Sequence, residues 1–393
     1  MTSRLLIRNG ILAQPEGPMR ADILCEGPRI AAVARGIVAP DAVVVDAAGL
    51  TVGPGFVDLH VHGGGGFSFF DPYDEDVAGY GAWAPRNGVT SFLVSTLSSD
   101  APRTEALLRG LAPAIGLEDG AEALGFHLEG PFINPLRKGA FAATMLRTVD
   151  PAEWLAYQEA ASGKIRLVTL APELPGAEDL ITAVTRSDAV AAMGHTDATA
   201  AQARRGFEAG VRHVTHLFNA MRPIHQRDPG PAVAALLERG VTCELICDRA
   251  HVAPEMMRLA FSLLGPQRMV VVTDNLALSG TEDAKASFGG QPISRAGPLL
   301  LKEDGTITGS TVTMDEHFRN VVETLHIDLG TAFRLCSANA ARVIGVERRK
   351  GALQHGFDAD IVLLDSELRV VVTVCRGLIA YDARFEGGPA GRR

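Results

Sequence analysis

The sequence predicts an α/β protein, a closed (β/α)8 barrel with a small β domain assembled from both chain ends. Three observations carry this. From Val52 onward short apolar runs alternate with segments of helical spacing, and eight such runs fall before residue 276, the alternation expected when each parallel strand is followed by a helix. Polar, chemically capable residues stand at the C-terminal ends of these runs, the face on which such barrels carry their active sites. The segments outside the runs read as short strands and turns, too few at either end to enclose a core alone, so the two ends are expected to pair. A length of 393 residues suits a large barrel with an appended domain, since single cores stop growing near 250 to 300 residues. The expected boundaries are 1–52 with 353–393 for the β domain and 53–352 for the barrel.

The N-terminal segment offers "RLLIRNGILA", "ADILCEGPRIAAVA" and "AVVVDAAG" as strands. The first barrel run, "GFVDLHVH", ends in His60 and His62 and is followed by four glycines, which read as a flexible loop. Residues i and i+2 of a strand face the same side, so the two imidazoles project together. A lone His-x-His matches often by chance, and the later runs must supply the rest. The second run, "VTSFLVST", adds no such group; the helical segment "TEALLRGLAPAIG" follows and ends in Gly, as helices often do. The third, "LGFHLEG", brings Glu129, with His127 two residues earlier and on the same face. Residues 132–149 interrupt the rhythm after a C-terminal strand end and should overhang the mouth. After the helical "PAEWLAYQEAAS", the fourth run is "IRLVTLAPE", with no Lys at its end. The fifth, "AVAAMGHT", gives His195, and the sixth, "VRHVTHLF", gives His216. His213 has the opposite strand parity to His216 and reads as structural. "AAQARRGFEAG", "PAVAALLERG" and "PEMMRLAFSLLG" are the helices around the sixth run and the seventh, "TCELICD"; the eighth, "MVVVTDN", ends in Asp274. Residues 279–310 form a second irregular overhang. His317, His326 and His355 fall in segments remote from the mouth. "GFDADIVLLDSELRVVVTVCRGLIAYD" supplies the C-terminal strands, and the "GGPAGRR" tail reads as disordered.

Composition narrows the function. With 47% hydrophobic and 21% charged residues the chain reads as a soluble globular protein. Its apolar runs fall short of the roughly 20 residues a membrane span needs, and no signal-peptide core opens it, so a cytoplasmic location is expected. Five scattered cysteines without a CxxC read as buried, reduced thiols. A net charge of -9 disfavours nucleic acid, whose binding rests on Lys and Arg neutralising phosphates. A small phosphorylated ligand needs only one or two placed cations.

Four imidazoles and two carboxylates at one mouth suit Zn or Fe(II), whereas oxygen-only sites suit Mg or Ca. Each residue alone is more often a hydrogen-bonded cap than a ligand; six at one end of a barrel form a site. The simplest arrangement has Glu129, His195 and His216 around one ion, with His60, His62 and Asp274 beside it and room for two ions if Glu129 bridges. A metal there would lower the pKa of bound water from 15.7 to about 7. His127 is expected to orient the Glu129 carboxylate.

The motifs "PGFVDLHVHG", "HLEGPFINPLRKGA", "GHT", "THLFNAM", "HQRDPG", "VTDN", "GTITGS" and "GFDADIVLLD" resemble the N-acetylglucosamine-6-phosphate deacetylase family of the amidohydrolase superfamily. "HLEGP" and "THLFNAM" together are specific. The resemblance implies a distorted (β/α)8 barrel with a β-sandwich formed by both termini, and one or two divalent ions per subunit, Zn first and Fe second. It further implies that Glu129, His195 and His216 hold the main metal and that Asp274 is general base and then general acid. Asn219 and Ala220 match substrate contacts, and Arg227 and His251 match phosphate contacts. Arg227 would reach across the interface of a homodimer. The expected reaction converts N-acetylglucosamine 6-phosphate to glucosamine 6-phosphate and acetate, or acts on an analogue such as N-acetylgalactosamine 6-phosphate. The resemblance also puts Ala140, Phe141 and Arg249 against the substrate, and four substrate-side positions depart from the family pattern. Phe141 follows Ala140 in "KGAF" where the family has a His beside the scissile amide, Arg249 replaces Gly in "DRAH", Asn275 follows Asp274 in place of Ala, and Arg222 replaces Pro. Cyclic amidohydrolases such as dihydroorotases and hydantoinases are the alternative, but they use a carboxylated Lys on the fourth strand, which this run lacks. A non-catalytic barrel would have lost ligands, and none is lost.

Overall fold

In the computed structural model, which describes residues 4–70, 73–97, 100–117 and 119–385, all eight apolar runs are strands. They are β1 (Phe56–Val61), β2 (Val89–Leu97), β3 (Glu122–Glu129), β4 (Ile165–Leu170), β5 (Val190–Met193), β6 (His213–Val214), β7 (Thr242–Ile246) and β8 (Met269–Val272). They lie side by side in sequence order in one sheet, each pair parallel. Strands covered on both faces can be apolar throughout, which is why β1 and β8 are buried at every residue. Closure comes just past β8, where Asp274 N donates to His60 O (2.8 Å) and His62 N donates to Asn275 O (2.8 Å). The barrel is distorted at β6, which is only two residues long. Beyond it His216, Phe218 and Ala220 take positive φ, and a chain turning left-handed cannot continue a ladder. The tail of 387–393 lies outside the described residues.

Helices α1 (Asp74–Trp83), α2 (Ala101–Leu111), α3 (Pro151–Ala160), α4 (Ala177–Arg186), α5 (Ala200–Ala209), α6 (Gly230–Leu237), α7 (Pro254–Arg268) and α8 (Met314–Leu325) surround the sheet. Several begin where a side chain takes an orphan backbone N–H. Asp100 accepts from Arg103 N at 3.1 Å and Asp150 from Ala152 N at 2.8 Å, while Thr199 with Gln202 and Thr313 with Glu316 form capping boxes. α2 thus starts three residues before the "TEALLRGLAPAIG" segment. No helix among the described residues is long and apolar enough to cross a membrane.

Both chain ends enter one mixed eight-stranded sheet, joined where Ile361–Leu364 runs antiparallel to Thr51–Pro54. Leu5, Ile7, Leu12 and Ile23 from one end share an apolar layer with Ile361, Leu363, Val372 and Val374 from the other. At the end of β3 opposite the mouth, Lys350, 2% exposed, lies 2.7 Å from Glu122, 3.0 Å from Asp358 and 2.5 Å from Asp360. Arg349 spans Glu122 (2.8 Å) and Asp358 (2.6 Å). These ion pairs tie the terminal sheet to the barrel. All five cysteines are buried and free.

Two segments differ from their sequence reading. The 279–310 overhang is largely regular: Lys285–Phe288, Gln291–Ala296, Leu299–Lys302 and Ile307–Ser310 form a four-stranded antiparallel sheet. Gly289, Gly290, Gly297 and Gly305 take positive φ at its turns, the conformation such hairpins require. Its Phe288, Ile293 and Leu300 pack with Ile133 and Phe141 of the first overhang and with Leu276 and Leu278, making an apolar roof over the mouth. The glycine run after His62 is close-packed: Gly63–Gly64 pairs with Phe67–Ser68. A Cβ on Gly64 or Gly65 would lie 2.6 or 2.5 Å from the Trp83 indole.

Candidate metal centre

The mouth is built by strand ends that stop abruptly. His195, His216 and Asp274 sit just beyond β5, β6 and β8 with φ of 48°, 29° and 51°, backbone that non-glycine residues adopt only where their surroundings dictate it, commonly at functional sites. Thr273 Oγ1 donates to Asp58 Oδ2 (2.6 Å), and the backbone N–H groups of His60 and Thr273 donate to Asp58 Oδ1 (3.3 Å each). Burial pushes the Asp58 carboxyl up to about 7 despite these bonds. The carboxyl stitches β1 to β8 below the mouth.

The six expected ligands converge. Glu129 Oε1 lies 3.0 Å from His195 Nε2 and 3.0 Å from His216 Nε2, which are 3.1 Å from each other. Glu129 Oε2 lies 3.2 Å from His62 Nε2. His60 Nε2 is 3.2 Å from His62 Nε2 and 3.6 Å from Asp274 Oδ1, which is 3.5 Å from His62 Nε2. Two triplets result, Glu129–His195–His216 and His60–His62–Asp274, with Glu129 between them.

The donor set fits a divalent transition metal. Bonds of about 2.0–2.2 Å to a tetrahedral Zn place ligand atoms roughly 3.3–3.6 Å apart, close to the separations in both triplets. Tautomers agree as well. His195 Nδ1 donates to Arg137 O (2.8 Å) and His62 Nδ1 to Ser95 O (3.0 Å), which leaves each Nε2 a lone pair facing the cluster. For Glu129, burial alone would raise the pKa, but His60, with His195 and His216, holds it well below the usual carboxylate range.

A cavity of about 340 Å³ opens above this floor, lined by His62, Glu129, His195, His216 and Asp274. Ala140, Phe141, Asn219, Ala220 and His251 form part of its walls. Phe141 is 2% exposed, its ring edge-on to His195 with centroids 5.2 Å apart. His251 Nδ1 donates to Asp248 Oδ2 (2.6 Å). Although burial opposes it, that bond and the His251 charge hold Asp248 down to about 2. Two expected substrate contacts lie outside the walls. Arg249, at φ 64°, turns its guanidinium onto Glu323 (2.6 Å) and Thr324 (3.1 Å) of α8, so it does not face the cavity. Arg227 is on the exposed loop 222–229, which Arg222 pins through Asp228 (2.6 Å) and Asp197 (3.4 Å). Asn275 is 2% exposed at the barrel closure.

His127 does not orient Glu129. Its Nε2 pairs with Thr169 Oγ1 (2.8 Å) and its Nδ1 with Ser95 Oγ (3.3 Å), because two residues along a strand span roughly 6.6 Å and His127 lies one layer deeper. There its ring stands edge-on to His60, 4.5 Å between centroids, and burial holds its pKa well below the usual value. His213 also faces the barrel interior, since alternation fails where β6 ends. His326 and His355 are exposed, but His317 is buried near Asp248 and His251, with burial lowering its pKa. The sequence reading missed Glu244 altogether. Fully buried on β7, it accepts from His60 Nδ1 (3.0 Å), His213 Nε2 (3.1 Å) and His216 N (3.0 Å). Its one signal was an acid inside the apolar run "TCELICD", where an unpaired charge would be too costly to bury.

Known proteins resemble this chain in sequence and in fold. The amidohydrolase family model matches residues 51–386. An N-acetylglucosamine-6-phosphate deacetylase of Bacillus subtilis (strain 168) is 37% identical over 84% of this chain and 84% of its own. An N-acetylgalactosamine-6-phosphate deacetylase of Escherichia coli O157:H7 is 32% identical over 83% of this chain and 87% of its own. The crystal structure of N-acetyl-D-glucosamine-6-phosphate deacetylase from Mycobacterium smegmatis superposes with a TM-score of 0.89 at 34% identity, covering 96% of this chain and 100% of that one.

Proposed function

The chain belongs to the amidohydrolase family, and from that premise we propose that it removes the acetyl group from N-acetylated amino-sugar 6-phosphates, N-acetylglucosamine 6-phosphate first and N-acetylgalactosamine 6-phosphate second. It is a hydrolase, and its mouth carries a donor set for a divalent metal. The observation that carries the reading is the meeting of Glu129, His195 and His216 within 3.0–3.1 Å beneath a cavity that Asp274 also lines.

Glu129, His195 and His216 would hold one ion, and His60, His62 and Asp274 a second; Zn suits both sets, with Fe next. Bound metal supplies Lewis acidity, polarising the acetamide carbonyl and lowering the pKa of water. Asp274, 9% exposed, reaches both the floor and the cavity. It takes the proton of the attacking water and returns it to the amine nitrogen as the C–N bond breaks, so acetate and the free amino sugar leave. Asn219 Nδ2 donates to the carbonyls of His216 (3.3 Å) and Leu217 (3.4 Å), leaving Oδ1 as an acceptor for a sugar hydroxyl. Phe141 offers no hydrogen bond and shields His195 from water. His251 is assigned to the phosphate, with Arg227 of a second subunit in a homodimer; its exposed position outside its own cavity supports that assignment. Residues 53–352 would carry the chemistry and 1–52 with 353–393 the supporting domain, in a cytoplasmic enzyme of amino-sugar metabolism.

The test is amine release by the native-metal protein from N-acetylated hexosamines with and without a 6-phosphate. Strong preference for the phosphorylated sugars is expected. Equal turnover without phosphate would refute the roles of His251 and Arg227, and no turnover of any member would refute the deacetylase reading.

A further inference from the structure

Glu244 is the point where the two triplets meet below the mouth. Its Oε2 accepts from His60 Nδ1 (3.0 Å) and from the backbone N–H of His216 (3.0 Å), and its Oε1 accepts from His213 Nε2 (3.1 Å). The far nitrogen of His213 is held in turn by Thr242 Oγ1 (2.6 Å). One buried carboxylate on β7 therefore binds β1, the start of the short β6 and the backbone two residues beyond its end. An ionised carboxylate only accepts, so Nδ1 of His60 carries a proton, and with a metal bound it is Nε2 that would supply the lone pair. Nε2 is the atom that stands 3.2 Å from His62 Nε2 and 3.6 Å from Asp274 Oδ1.

We infer that Glu244 is a positioning residue that commits the His60–His62–Asp274 face to a second divalent ion, by holding the His60 ring with Nδ1 protonated and, through its negative charge, strengthening Nε2 as a ligand. In the Glu129–His195–His216 triplet the Glu244 carboxylate meets only the backbone N–H of His216 and no ring or ligand atom, and His195 is anchored on Arg137 O. The two faces should accordingly respond differently to its loss. The inference rests on the proposed ligand set.

The experiment titrates the full-length, chelator-stripped chain with Zn²⁺ against a competing chelator. His62→Ala identifies which binding step belongs to the His60 face. In Glu244→Gln the amide oxygen can still accept from His60 and His216 while the NH2 group meets a re-tautomerised His213, so shape is kept and charge is lost. The His60-face step is expected to weaken by roughly 10–100-fold, and the other by less than about threefold. Equal weakening of both steps, no weakening of either, or a wild-type chain that binds a single ion overturns the inference. A wild-type chain that binds no ion at all refutes the ligand set instead. Should Glu244→Gln not fold, ring-nitrogen NMR of the zinc-loaded wild-type chain decides: a proton on His60 Nδ1 is expected, and its absence overturns the role of Glu244.

Discussion

Replacing Lys350 by Met should loosen the joint between the terminal sheet and the barrel. Lys350 is 2% exposed and contacts Glu122, Asp358 and Asp360 at 2.7, 3.0 and 2.5 Å. Removing one partner of a buried pair costs about 3–5 kcal/mol because a charge is left uncompensated. Arg349 still reaches Glu122 and Asp358, and Arg376 lies 3.6 Å from Glu122, so the lower end, about 3 kcal/mol, is expected. The same network predicts a pH dependence. Burial would raise the Glu122 pKa, but Arg349 and Lys350 outweigh it and bring it from 4.5 to about 2. A carboxylate depressed in the folded state stabilises above its unfolded pKa and loses that stabilisation as pH falls through its folded one. The wild type should thus lose about 3 kcal/mol between pH 4.5 and 2 from this group, and Lys350→Met less. Urea unfolding of both proteins, with chelator present throughout so that ion release does not enter, measures both effects. A loss under about 1 kcal/mol at pH 7, or an unchanged acid slope in the variant, would refute the reasoning.

Two further outcomes are expected. Asp274→Asn removes the proposed proton carrier at the cavity floor and should lower kcat by about 10²–10⁴-fold with KM little changed; a kcat within about threefold of wild type in steady-state assays would remove Asp274 from the chemistry. Gly64→Ala places a methyl 2.6 Å from the Trp83 ring and should cost about 1–3 kcal/mol by overpacking, read as a lowered urea midpoint that Trp83→Leu partly restores.

What could be read from the sequence was whatever repeats with a fixed period. All eight strands announce themselves as apolar runs because a strand covered on both faces has no polar alternation to confuse it, and the candidate ligands stand at their ends because the mouth lies there. The reading failed where local geometry leaves the period. His213 was set apart by counting parity from His216, yet the left-handed backbone at His216 ends the alternation on which that count relied. The glycines after His62 suggested flexibility, and it is the ring of Trp83, 18 or 19 positions away from Gly65 and Gly64, that explains why those two must be small. Glu244 belongs to no spacing, because its partners come from β1 and β6. The hairpins between 285 and 310 were legible in principle, since "FGGQ", "RAGP" and "EDGT" are turn signals between short apolar stretches.

The roof over the mouth departs and returns at almost one point: Asn275 and Ser310 form a bridge, and Ser310 N donates to Asp274 O at 3.0 Å. A module whose two ends are clasped together can be lengthened, shortened or exchanged while the eight staves beneath keep their spacing. Phe288, Ile307 and Thr308 of this module line the cavity, so a transplanted hairpin would recast that wall while the cluster of strand-end side chains below kept its geometry.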